Sequence, residues 1–108
     1  MKIKDVPTII AKKTLKKDVI LDPNGFFIIE LTDNQIRVEY YKNVYKNNKI
    51  VSGILDKVFT GYKADELSDT IAKHIKKLRI EHYMYLGREL EKAQYCLENN
   101  NKYIQGGC

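Results

Sequence analysis

The stretch IEHYMYLGRELEKAQ, Ile80 to Gln94, sets a histidine, a tyrosine, an arginine and a glutamate into a helical pattern. Imidazole changes charge near neutral pH, and a carboxylate within its reach could share acid–base work. On a helical wheel Leu86, Leu90, Ala93 and Leu97 form a core-facing stripe, with His82 and Glu89 inside the same arc and Tyr85 at its border. His82 and Glu89 stand seven residues apart, about 10 Å along a helix axis, so they cannot bond directly, and Tyr85 lies between them. Two readings stand side by side. In one, His82 is acid, base or donor, Glu89 the carboxylate and Tyr85 the bridge. In the other, these are buried polar groups satisfied by backbone atoms or by lysines of the sheet.

Arg88 falls off the buried arc, where its planar fork of donors suits a carboxylate or phosphate. Gly87 costs a helix about 1 kcal/mol relative to alanine. Close approach of a neighbouring backbone is its expected reason, and room for a ligand or partner beside Arg88 is the alternative. His74 is expected at the edge of the core. No HExxH or CxxC spacing occurs, so no metal site is assigned.

These residues need elements to hold them. Asp22-Pro23-Asn24-Gly25 is turn chemistry, and strands are expected over about 26–31 and 36–41 around the polar loop TDNQ. FFIIEL is apolar on both faces and reads as a central strand. Ile36, Val38 and Tyr40 alternate with Arg37, Glu39 and Tyr41, which predicts one buried face and one wet face. KNVYKNN, 42–48, reads as a polar loop. Residues 49–59 read as a further strand, interrupted by Gly53. The segment 8–21 reads as a short helix or two strands. From Ala64 the period changes to helical: Leu67, Ile71, Ile75 and Leu78 predict a helix over about 64–77, and a second follows over about 81–99, continuous with it or turning a corner. Asn99–Asn101 closes it, since asparagine accepts the left-handed terminal position.

The expected fold is therefore α+β: a small, mostly antiparallel sheet built on a hairpin, one face covered by two C-terminal helices. With 108 residues the chain is expected to be a single domain over 1–108 with a flexible tail at 106–108. The net charge of +5 lies wholly in residues 1–63, with 12 Lys/Arg against 7 Asp/Glu; residues 64–108 balance at 7 against 7. Sixteen of the 19 basic residues are lysine. That composition favours a solvated lysine face over nucleic-acid recognition, which leans on arginine. A nucleic-acid reading would use this half with Tyr40, Tyr41 and Tyr45 as stacking surfaces. No apolar run reaches membrane-spanning length and no secretory leader is evident, so a cytoplasmic location without membrane insertion is expected. Cys96 is expected as a small buried hydrophobe, and Cys108 as part of a mobile end.

Gly61 to Gln105 resembles the C-terminal half of a domain of unknown function found in methanogenic archaea and cyanobacteria. Its pattern, close to H-x-x-Y-L-G-R-E-L-x-x-A followed by Y-[VI]-Q, is met by His82, Tyr85, Leu86, Gly87, Arg88, Glu89, Leu90, Ala93, Tyr103, Ile104 and Gln105. LDPNGFFIIEL resembles the family's DPxGFF turn and strand. The chain departs from the pattern after Gln105, where Gly106 stands in place of a common aspartate.

In larger proteins this domain accompanies pterin-binding modules of the dihydropteroate-synthase type, or modules similar to one of the subunits of tetrahydromethanopterin S-methyltransferase. The resemblance implies pterin-dependent one-carbon metabolism, a partner of the pterin-binding or methyltransferase type, and a pterin held by that partner. It supplies no reaction, and catalytic residues stay unassigned. It directs attention to His82, Tyr85, Arg88, Glu89, Tyr103 and Gln105 as a ligand- or partner-binding set, with Arg88 facing an acidic cofactor tail. A small enzyme using His82 and Glu89 is the competing reading, and a homodimer could cover an exposed edge or helix face.

Overall fold

The structure, a computed structural model, describes residues 24–76 and 78–106, with the backbone alone at 49–52. The expectations for 8–21, for Asp22-Pro23 and for Cys108 lie outside the described residues. Three strands, β1 (Gly25–Thr32), β2 (Gln35–Lys46) and β3 (Lys49–Gly61), precede two helices, α1 (Ala64–His74) and α2 (Ile80–Glu98). The sheet is antiparallel in the order β1-β2-β3, and helix packing on it gives the α+β fold.

Both hairpins close on two residues. Asp33 and Asn34 have φ of 47° and 65°, and Asn47 and Asn48 have 53° and 63°. Asparagine and aspartate tolerate this left-handed region, and paired positive φ values twist with the strands they join. The loop expected over 42–48 is therefore corrected: residues 42–46 extend β2, and the turn is Asn47-Asn48 alone. Likewise β3 runs unbroken through Gly53. A bulge at Asp56 absorbs one residue, because Tyr40 pairs with Lys57 while Tyr41 pairs with Leu55.

β1 is an edge strand, where its apolar faces had suggested a central one. Its first residue must be glycine, since a Cβ at Gly25 would collide with the Tyr41 carbonyl and crowd the Tyr40 ring at 2.8 Å. On the helix side Phe27, Ile29, Ile36, Val38 and Phe59 meet Leu67, Ile71, Leu86, Leu90 and Ala93 in one core. Each large side chain fully buried there contributes about 1.5–3 kcal/mol. α2 covers β1 and β2, and α1 packs against β3.

The other face is not wet at its centre, contrary to the alternation in β2. Phe26 stacks on Tyr41 with centroids 5.3 Å apart, and Ile28 and Glu39 are buried beside them. Tyr40 and Tyr41 are thus buried and offer no stacking surface, whereas Tyr45 is exposed.

α1 ends at His74, earlier than expected, and Ile75 turns extended with its N–H held by the Ile71 carbonyl. Ile75 and Leu78 still pack against the core from the corner that separates the two helices. His74 is exposed, with a ring nitrogen 2.9 Å from the Thr70 carbonyl and its ring edge-on to Phe59. α1 receives its N-terminal acceptor from α2, where Gln94 Oε1 takes the Ala64 N–H at 2.8 Å.

Candidate functional site

The inner arc of α2 carries His82, Tyr85, Leu86, Glu89, Leu90 and Ala93, all buried, because this is the stripe that faces the sheet. His82 is 0% exposed, with its ring edge-on to Phe27 at 5.0 Å and 6.4 Å from the ring of Tyr85. Glu89 is 3% exposed. Neither lines the clefts at α1, β3 or the C-terminal end of α2.

The chain leaves α2 through Asn100, at φ 54°, and the Asn101 N–H donates to the Cys96 carbonyl at 2.8 Å. This terminal turn sends residues 102–106 back along α2 toward β1. Tyr103 then donates its hydroxyl to Glu89 Oε1 at 2.8 Å, and the Gly106 N–H reaches the same oxygen at 3.0 Å. Lys92 Nζ donates to Glu89 Oε2 at 3.0 Å. A carboxylate this deeply buried requires such donors, since leaving it bare would cost several kcal/mol. Burial first, and then its bond to Glu89, push the Tyr103 hydroxyl far above the usual tyrosine range.

Gln105 joins this network to the sheet. Its Nε2 donates to the Phe27 carbonyl and to the Tyr85 hydroxyl, both at 3.0 Å, and its Oε1 accepts the Ile29 N–H at 2.8 Å. The amide therefore presents the donor and acceptor of a neighbouring strand to the open edge of β1. Gly106, expected in a flexible tail, is held by Glu89.

Of the residues singled out in the sequence, Tyr85, Glu89, Tyr103 and Gln105 are brought together, and His82 adjoins them through Tyr85. Arg88 is exposed on the opposite side of α2. Three participants escaped the sequence reading. Lys92 is signalled by its three-residue spacing from Glu89; Phe27, 78 residues from Gln105, has no local signal, and nor does Gln94 opposite Ala64.

Gly87 corrects an expectation. A Cβ built there meets nothing within 4 Å among the described residues, so no backbone of theirs approaches it. It lies among exposed Ile80, Tyr83 and Met84, next to Arg88. Cys96 is half-buried, with its Sγ 3.8 Å from the Lys102 carbonyl, rather than enclosed in the core.

On the outer sheet face Arg37 Nε and Nη2 donate to Glu39 Oε2 at 3.3 and 3.1 Å, and Tyr41 donates to Oε1 at 3.2 Å. Burial, and then Glu39, push the Tyr41 hydroxyl up to about 12. Among the described residues, no three His, Cys, Asp or Glu side chains gather as a metal site, and no helix is long and apolar enough to cross a membrane.

A "Ycf91-like protein" of Nostoc sp. (strain PCC 7120 / SAG 25.82 / UTEX 2576) is 28% identical over 116 residues, spanning 89% of this chain and 91% of that protein. No solved structure matches. Residues 21–106, which contain β1, the α2 motif and the returning tail, match the family model PterinBD-DUF4346, and the chain belongs to that family.

Proposed function

We propose that the protein is a non-catalytic accessory module of pterin-dependent one-carbon metabolism, and that it docks a pterin-binding partner protein through the outer face of α2. The observation that carries this reading is the open space at Gly87 beside exposed Arg88. A helix interior gives up about 1 kcal/mol to hold a glycine, and no contact among the described residues explains it here. Ile80 at 75% and Met84 at 58% exposure flank the gap, so a partner backbone can approach closely at Gly87 while apolar side chains are covered. Arg88 supplies a fork for a carboxylate of the partner or for the acidic tail of its pterin.

The family name supports the pterin link. The polar half of the motif supports the non-catalytic part: Tyr103 bonds Glu89, and Gln105 bonds Tyr85 and β1, which gives each a structural occupation.

The test is calorimetric titration of the chain into a dihydropteroate-synthase-type protein, with and without a bound tetrahydropterin. Binding that weakens about tenfold in Arg88→Glu and in Gly87→Leu supports docking through this face. Titration with tetrahydrofolate alone separates direct cofactor binding from protein docking. Absence of binding to both would remove the reading.

A further inference from the structure

The two edges of the sheet are treated differently. β1 is closed by the Gln105 amide, whereas β3 has no neighbour on its far side among the described residues. Along residues 54–61 the outward backbone groups of β3 meet no loop, strand or side chain there. Every second residue of such an edge turns its N–H and C=O outward, which makes it a template for one more strand.

α1 runs beside this edge and leaves a groove of about 580 Å³. Five consecutive strand residues, 57–61, form one wall, and Leu67, Thr70 and His74 of α1 form the other. A groove bounded by an edge strand and a helix admits a single extended chain. Its charge is positive, from Lys57 and Lys63 against Glu66. Lys57 Nζ reaches only a carbonyl, that of His74 at 3.4 Å, and Lys63 stands 4.0 Å from Glu98.

The register sets the two faces of the strand apart, and Ile54 and Phe59, which pair with Lys42 and Val38, share the helix side with Lys57. Lys57 pairs with Tyr40 and so lies on the helix side, while Leu55 and Val58 pair with Tyr41 and Glu39 and lie on the other. Leu55 and Val58 are 45% and 41% exposed. An added strand would thus meet Lys57, between the apolar Ile54 and Phe59, with one set of its alternating side chains and the uncovered Leu55 and Val58 with the other.

We propose that the groove between β3 and α1 receives an extended segment of another protein, in which acidic residues alternate with apolar ones, as a fourth strand of the sheet. Main-chain bonds to 54–61 supply affinity, and the lysines and the Leu55–Val58 surface select the sequence. A second copy of this chain fits less well. It would bring a second set of the same lysines to the edge and a second helix against α1. The groove lies at the β3 edge rather than on the outer face of α2, so this assignment stands independently of the docking reading above.

The test uses a fluorescent peptide of about eight residues, alternating valine and glutamate, long enough to span 54–61. Binding is read by anisotropy, and the contacted residues by backbone amide shifts. The expected result is saturable binding with shifts centred on 54–61 and on α1. Affinity should fall about tenfold or more in Lys57→Glu/Lys63→Glu, and similarly when alternate peptide nitrogens on the pairing edge are methylated, a change that leaves the protein untouched. Equal binding of a valine–lysine peptide, shifts confined to α2, or no binding would overturn the proposal. Self-association of the chain through 54–61 in sedimentation would overturn it as well, by making a second copy the occupant.

Discussion

The side chain of Gln105 stands beside Ile29 as an adjacent strand would, with Oε1 accepting the Ile29 N–H at 2.8 Å while Nε2 donates to the Phe27 carbonyl at 3.0 Å. One amide thus satisfies two main-chain groups of an edge strand and ties the segment after α2 to the first strand. Gln105→Ala should destabilise the fold by about 2 kcal/mol, from lost bonds and from edge groups left bare. Urea unfolding measures the loss, and amide exchange at Ile29 should accelerate more than exchange at Val38 in the sheet interior.

Tyr103 and Glu89 are expected to act as one unit. Tyr103→Phe removes one donor from a buried carboxylate and should cost about 1–2 kcal/mol, while Glu89→Ala leaves the Tyr103 hydroxyl and the Gly106 N–H without their acceptor and should cost about 2–4 kcal/mol. The double variant should lose less than the sum of the two. Additive losses in thermal unfolding would show that the contact carries no coupling.

Alkali should loosen the fold through tyrosine. In the folded chain the Tyr41 hydroxyl is raised from 10.0 to about 12, by burial and by Glu39, and Tyr103 is also raised, by burial and by Glu89. A folded-state pKa above the unfolded value means that the protonated form stabilises. That contribution is complete below about pH 10 and declines as pH rises through 10 toward 12 for Tyr41, with Tyr103 extending the loss further. Ultraviolet titration of tyrosinate should show Tyr41 and Tyr103 lagging, and Tyr41→Phe should flatten the fall in stability over that window.

Gly87→Ala should raise stability by about 0.5–1 kcal/mol, because the helix gains and the added methyl meets open space. Under the docking reading the same substitution weakens partner binding. A variant that melts higher but binds less separates folding from recognition at this position; destabilisation would show that Gly87 is constrained from within the chain.

His82→Ala should cost about 2–4 kcal/mol, since the side chain is wholly buried against Phe27 and its removal leaves a cavity. Differential calorimetry checks this. If stability were unchanged, the packing role argued for His82 would fail.

Periodicity and turn chemistry made much of this protein legible in its sequence. The alternation of Ile36, Val38 and Tyr40 located the hairpin, the stripe of Leu86, Leu90 and Ala93 located the inner face of α2, and the asparagines after Glu98 located its end. Each is a local signal, set by side chains a few residues apart. Other local signals misled, the two below among them. Apolar faces on both sides of β1 suggested a central strand, because burial on both faces does not reveal whether an edge is closed by a strand or by one glutamine. The helical glycine suggested close packing, because a cost to the helix does not reveal which side of the chain benefits.

The sequence by itself determined an α+β domain, the division of α2 into a core stripe and a polar border, and the separation of His82 from Glu89 by two helical turns. Tertiary structure alone decided that the polar border closes inward on Tyr103 and Gln105, that Arg88 and Gly87 are left on the outer surface, and that among the described residues Gln105 bonds the edge of β1 while β3 has no neighbouring strand on its far side. Those outcomes depend on contacts between residues as far as 78 positions apart. No periodicity encodes such contacts, because they exist only once the sheet and helices have fixed the path along which the tail returns.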